Sequence, residues 1–196
     1  MLTINDIGKK ISFITEIDKL KTIDRRSFLR DKSRNENSAE HSWHLALIVI
    51  VLIEYAPPDT NFLDAIKMAL IHDLVEIYAG DTFCFDIKAN IDQLQRESEA
   101  ALKVFGLLPV CQFEEFLKLW QEFESCETPT AKFVVAVDRL QPFLQSYFPE
   151  ENPTVIDGIQ RKQLLQRMLP VRDGIPKLWP FVEEEIEKYF FRLEDS

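Results

Sequence analysis

The chain has 196 residues, 46% of them hydrophobic and 29% charged, with a formal net charge of −10. That length suits one domain with a proper core, and the composition excludes a fibre or a disordered segment as the main product. The acidic balance excludes a general affinity for nucleic-acid backbones or anionic membranes. A small anionic substrate stays open, because a few cations and a metal can dominate a single cleft.

In chain order, Ile7, Ile11, Ile14, Ile17 and Leu20 recur every three or four residues and predict an amphipathic first helix. Thr22 to Asn37 is rich in charge and reads as a helix end followed by a long loop. Ser38 then offers a cap for a second helix, which ends before Pro57-Pro58. Its apolar run, Leu45 to Ile53, is too short for a bilayer and reads as a buried helix. Asn61, with Asp64 three residues on, caps a third helix over about Phe62 to Tyr78, which Gly80 breaks. A loop carrying Asp81 and Asp86 follows. Leu94 to Phe105 mark a fourth helix stopped by Gly106, and Phe113 to Phe123 a fifth.

Thr128-Pro129 reads as N-cap and first residue of a sixth helix, which Pro142 is expected to end or kink. A seventh covers roughly Thr154 to Met168, and the last begins near Pro176. No repeat or linker interrupts the series, so the expectation is all-α, a single-domain helical bundle spanning 1–196. Cys84, Cys111 and Cys126 are widely spaced without a CxxC pattern, and Met1 to Lys10 lacks a signal-peptide layout. Both point to reduced thiols in the cytoplasm.

The chemistry-bearing residues concentrate early. All three histidines lie between positions 41 and 72, in Glu40-His41-Ser42-Trp43-His44 and in His72-Asp73-Leu74-Val75-Glu76, with Gly80-Asp81 beyond. Imidazole and carboxylate suit a catalytic divalent ion. On a helix Glu76 neighbours both Asp73 and His72, so one helix can aim an imidazole and two carboxylates at one cleft. Crowded acids are costly without a cation. Spacing alone leaves two readings, a metal site or a solvated acidic face. Asp138, in a strongly apolar helix, needs a partner. It is either a further ligand or half of an ordinary ion pair, and adjacent Arg139 is expected to point elsewhere. His44 is assigned a supporting hydrogen bond or packing role, Trp43 a place in the core, and the phenylalanine-rich stretches a core or a subunit interface.

The order His41, His72-Asp73, Asp138 resembles the HD-domain metal-dependent phosphohydrolases. Glu40-His41-Ser42, His72-Asp73-x-x-Glu76 and Gly80-Asp81 look like the bacterial 5'-deoxynucleotidase subgroup, while Asn37 to His44 and Asp138 to Pro142 look like the broader bacterial branch. The resemblance implies that His41, His72, Asp73 and Asp138 hold a divalent ion (cobalt, manganese, magnesium, zinc, nickel or iron). It implies that Glu76 assists the attacking water, that Asp81 lies at the substrate end, and that Arg25 binds the substrate phosphate. Arg34 and Lys88 are further candidate phosphate contacts. The implied substrate is a small phosphorylated molecule, a nucleoside or deoxynucleoside 5'-monophosphate, and the implied assembly is a homodimer. The nucleotidases carry tryptophan after the phosphate-binding arginine; here stands Arg26. That departure keeps open a phosphodiester, triphosphate or alarmone as substrate of the same site, or a catalytically silent metal- and nucleotide-binding module.

Overall fold

A computed structural model describes residues 4–80, 92–146 and 160–194. Among them the architecture is a helical bundle carrying one small two-stranded sheet. Asp81, Asp86, Lys88 and Cys84, and the expected start of the seventh helix at Thr154, lie outside the described residues.

Helix α1 (Ile4–Glu16) passes into a 3-10 turn, Ile17–Thr22. It buries Phe13, while Ile7, Ile11 and Ile14 face outward, so of the apolar stripe read from the sequence only Ile17 and Leu20, in the 3-10 turn, meet the core. The segment expected to be a loop is instead a hairpin: β1 (Asp24–Phe28) pairs antiparallel with β2 (Asn35–Asn37), with an irregularity between the Asp24–Asn37 and Phe28–Asn35 pairs. Its turn lacks the Asn-Gly signature and uses other chemistry. Asp31 Oδ1 accepts from the Ser33 backbone at 3.0 Å and from its hydroxyl at 2.7 Å, and Lys32 takes a left-handed φ of 58°. Alternation along β1 turns Arg25 inward and leaves Arg26 exposed on the other side.

Helix α2 (Ser38–Leu52) is capped by Asn37, one residue before the expected Ser38. Asn37 Oδ1 accepts from the Glu40 N–H at 3.0 Å and Glu40 Oε2 accepts from the Asn37 N–H at 3.3 Å, a complete capping box. Leu45, Ala46 and Val49 are buried, but Trp43, Leu47, Ile50 and Val51 are exposed. This helix is therefore half-buried, and Trp43 is not core. Helix α3 (Phe62–Ile71) starts as expected, with Asn61 accepting from the Asp64 N–H at 3.2 Å. It does not run unbroken to Tyr78. A 3-10 turn, His72–Val75, intervenes before the short α4 (Glu76–Ala79), and Gly80 closes it at φ 76°.

Helices α5 (Gln93–Phe105) and α6 (Val110–Ser125) follow. Helix α7 (Pro129–Ser146) begins at the Thr128 cap, whose Oγ1 accepts from the Ala131 N–H at 3.1 Å. It continues through Pro142. A mid-helix proline costs about 3 kcal/mol, but the turn beyond it buries Phe143, at about 1.5–3 kcal/mol for a side chain of this kind, and places Gln145 on a buried carboxylate. Helix α8 (Arg161–Gly174) runs further than expected, past Pro170, and α9 (Trp179–Glu194) follows a 3-10 turn at Pro176–Leu178.

Helix α7 is the spine, packed against α2, α3, α6 and α8. One apolar core gathers around Leu45, Met68, Phe105 and Phe133; a second joins Leu140 and Phe143 to Met168, Val182 and Ile186. The closest approach is at Gly174, where a Cβ would stand 2.2 Å from the Lys132 carbonyl oxygen and 2.7 Å from the Ala136 Cβ. Gly174→Ala is expected to destabilise the protein by about 2 kcal/mol, since overpacking outweighs the helix preference for alanine. Thermal unfolding reads this as a fall of roughly 4–8 °C in Tm.

Candidate metal centre

The 3-10 turn after α3 concentrates the chemistry. His72 and Asp73 are adjacent in it, and their side chains bend toward each other, with His72 Nε2 3.0 Å from Asp73 Oδ1. A short 3-10 stretch inside a helix often marks a functional site. The first turn and a half of α2 brings His41, and the middle of α7 brings Asp138. His41 Nε2 lies 3.1 Å from Asp138 Oδ1 and 3.8 Å from Asp73 Oδ2, and His72 Nε2 lies 3.7 Å from Asp138 Oδ1. All four residues are buried.

This donor set fits a divalent ion. Ligands held about 2.0–2.2 Å from one ion stand roughly 3.0–3.5 Å from each other, close to the spacings here. Donor atoms of His41, His72 and Asp73 all fall within 4.8 Å of one another. His72 Nδ1 lies 3.1 Å from the Ala69 carbonyl, which can only accept, so Nδ1 carries a proton and Nε2 is the nitrogen open to a cation. That buried Nε2 has no hydrogen-bond partner, because its approach to the carboxylates is misaligned. A ring nitrogen facing two acids without a hydrogen bond suits a positive charge there, a proton or a metal ion.

The carboxylates are anchored from outside. Arg25 Nη1 donates to Asp73 Oδ2 at 2.7 Å, and Arg139 Nη1 donates to Asp138 Oδ2 at 2.6 Å. Each arginine takes the outer oxygen and leaves Oδ1 toward the imidazoles. Arg139 therefore reaches back to its neighbour, contrary to the expectation that it points elsewhere; its long stem curls along the helix surface. Burial pulls the His72 imidazole down, but Asp73 and Asp138 outweigh it and hold its pKa up to about 10. Burial pushes Asp73 and Asp138 up, and their neighbours, His72 and Arg25 for the first and Arg139 and the two imidazoles for the second, depress both below the usual carboxylate range.

The residues around this centre line a cleft of about 450 Å³ that includes Arg25, Glu76, Glu97, Glu124, Arg139 and Arg167. Glu76 is buried, and Ser38 Oγ donates to its Oε2 at 2.5 Å, with Arg25 Nη1 3.9 Å from Oε1. Arg34 is not on the cleft wall: its guanidinium forks onto Glu40, 2.8 Å from Oε2 and 2.5 Å from Oε1. His44 is half-buried, with its pKa lowered by burial, and its Nδ1 lies 3.3 Å from Gln141 Nε2.

Several polar residues here escape a sequence reading. Glu97 comes from α5, buried, bonded by Gln93 at 2.7 Å, its carboxyl pushed up by burial. Arg167 comes from α8. Neither carries a local motif. Gln141 could have been found, since it sits three residues after Asp138 on the same helical face.

Residues 17–179 match the HD-domain family model. The chain is 30% identical over 154 residues to the 5'-deoxynucleotidase HDDC2 of Dictyostelium discoideum, covering 76% of this chain and 81% of that protein. It is 28% identical over 137 residues to the human 5'-deoxynucleotidase HDDC2, covering 69% and 66%. In structure it is similar to a crystal structure described as a predicted metal-dependent phosphohydrolase from Magnetospirillum magnetotacticum. There the TM-score is 0.89 and the identity 40%, over 96% of this chain and 97% of that one. Buried histidines and aspartates converging on α7, and a match over most of the length, lead to one assignment: the chain belongs to the HD-domain family.

Proposed function

We propose that this protein is a divalent-metal-dependent phosphohydrolase that releases phosphate from deoxynucleoside 5'-monophosphates. The convergence of His41, His72, Asp73 and Asp138 at the base of the cleft carries the reading, and the 5'-deoxynucleotidase relatives support the substrate class. When bound, the divalent ion makes a coordinated water acidic and polarises a phosphoryl oxygen.

The chain's own residues do the rest. Glu76, its carboxylate held by Ser38, accepts or positions the proton of the attacking water. Arg25 stands between Asp73 and the cleft, where its fork meets both the ligand carboxylate and a phosphate. Asp81 acts at the substrate end, and Lys88 remains a candidate phosphate contact. Arg34 keeps its candidacy only if the substrate displaces Glu40; Arg139 and Arg167 already line the cleft.

Those two arginines favour a second reading. A cleft of this volume accommodates a nucleotide, and cations beyond Arg25 suit a substrate with more than one phosphate. Phosphate release from a panel of deoxynucleoside 5'-monophosphates, with cobalt, manganese or magnesium, tests the proposal. Free phosphate and the nucleoside are the expected products. Release of pyrophosphate or triphosphate from nucleotide polyphosphates, with the monophosphates untouched, would establish the second reading. Metal and nucleotide binding with no turnover would establish a silent module.

The same proposal extends to the whole molecule. Residues 1–196 form a single domain, supported by Leu52 and Leu178, which pack against both apolar cores. The protein acts as a homodimer, supported by the outward stripes Ile7, Ile11, Ile14 on α1 and Trp43, Leu47, Ile50 on α2. A reducing, cytoplasmic setting accords with the free thiols of Cys111 and Cys126; among the described residues no helix is long and apolar enough to cross a membrane.

A further inference from the structure

Glu36 has no place in that chemistry, yet it is one of the most deeply buried side chains, 2% exposed. A buried carboxylate is expensive unless its oxygens are bonded. Oε1 accepts from Gln141 Nε2 and from Gln145 Nε2, each at 2.8 Å and one turn apart on α7. Oε2 faces His41 Nδ1 at 3.7 Å and Arg25 Nε at 3.9 Å, with no hydrogen bond.

The consequence runs through Gln141, which is wholly buried. A carboxylate only accepts, so Glu36 selects the NH2 end of the Gln141 amide. The second N–H of that group faces His44 Nδ1 at 3.3 Å. Both nitrogen-bound hydrogens are then committed, and the amide oxygen is turned to His41 Nδ1 at 3.0 Å. An amide oxygen cannot donate, so Nδ1 must carry the proton. Nε2 is then the nitrogen left to face Asp138 Oδ1 at 3.1 Å and Asp73 Oδ2 at 3.8 Å, the place a cation would take. His72 reaches the same state by a simpler route, through the Ala69 carbonyl. A backbone carbonyl has only one sense; a glutamine amide has two and needs something to choose between them.

We propose that Glu36 and Gln141 are positioning residues for metal binding: Glu36 sets the sense of the Gln141 amide, and Gln141 sets the His41 tautomer that leaves Nε2 to the cation. This rests on the metal reading of His41 given above. A turned-over amide would aim its N–H groups at Nδ1 and leave the ring proton on Nε2, where the ion binds. Partners of metal-bound histidines are typically worth roughly 10–100-fold in metal affinity.

The test uses the full chain stripped of metal and titrated with Zn2+. Gln141→Met keeps the side-chain length but removes the acceptor, and is expected to weaken Zn2+ binding by about 10–100-fold. Glu36→Gln keeps the shape but can present either a donor or an acceptor to the Gln141 amide, and is expected to weaken Zn2+ binding in the same direction. Nitrogen-15 spectra of the Zn2+-loaded wild type should show His41 protonated at Nδ1 and metal-bound at Nε2. A Gln141→Met protein that binds Zn2+ like wild type, or a His41 ring bound to Zn2+ through Nδ1, overturns the inference and leaves the metal reading standing. Wild type that takes up no Zn2+ overturns both. Should Gln141→Met fail to fold by thermal unfolding, the wild-type spectrum decides alone.

Discussion

Asp73→Ala is expected to cut phosphate release by at least about a thousandfold, the equivalent of some 4 kcal/mol of barrier. Three groups depend on this carboxylate. Its Oδ1 stands 3.0 Å from His72 Nε2, its Oδ2 stands 3.8 Å from His41 Nε2, and Oδ2 also anchors Arg25 at 2.7 Å. Without it, Asp138 is the one carboxylate left between the two imidazoles, and the charge that draws a divalent ion is halved. The fold should survive the change, because Arg25 keeps Glu76 and Glu36 within 3.9 Å. Metal content by elemental analysis should therefore fall together with activity, while circular dichroism stays near wild type. Asp73→Asn should behave in the same way, since an amide of the same shape brings no charge to the ion. Equal phosphate release by wild type and Asp73→Ala would sink the metal-centred mechanism.

The parts of this site that were legible in the sequence are those whose chemistry is rare. Histidine occurs three times in the chain, so His41 and His72 stood out, and His72-Asp73 followed by Glu76 marked one stretch as acidic and metal-like. Resemblance in chain order then added Asp138. What stayed hidden were partners whose side chains are common and whose meaning lies in where they meet. Glu36 looks like any glutamate in a charged stretch until β2 carries it under α7. Arg139 looked surplus until its stem curled back onto Asp138.

The helices were legible for a similar reason. Caps such as Asn61 and Thr128-Pro129 act locally and announce themselves. The failures came where tertiary contacts overrode local preference. Pro142 did not stop α7, because Phe143 and Gln145 gain more from burial and bonding beyond it than the missing N–H costs. The hairpin at Asp24 to Asn37 was missed because its turn depends on Asp31 and a left-handed Lys32, not on glycine. The 3-10 turn at His72–Val75 was missed because periodicity cannot distinguish four tightened residues from one more α-turn. That turn matters most for function, since it carries both His72 and Asp73.

Metal-free protein is expected to lose stability as the pH rises from about 6.5 toward about 10, and to recover it when a divalent ion is added. The sign follows from His72. Its folded-state pKa is held up to about 10, against an ordinary 6.5, because Asp73 and Asp138 outweigh the effect of burial. A group raised in the folded state contributes fully below its unfolded pKa, and that contribution is lost as the pH passes through the folded value. Asp73 and Asp138 are shifted the other way, so their contribution is present above the ordinary 3.8 and lost as the pH falls through their depressed values. Stability of the metal-free protein should therefore be greatest between roughly pH 4 and 6.5. The loss on the alkaline side is on the order of a few kcal/mol, or about 10 °C in Tm. A divalent ion supplies the positive charge that the departing proton removes, and its binding tightens as that proton leaves. Metal-loaded protein should thus hold its Tm across the window in which metal-free protein declines. A metal-free Tm that stays flat from pH 6.5 to 10 would mean that the two aspartates do not hold His72 protonated, and that the centre lacks the electrostatic demand for a cation on which the hydrolytic reading depends.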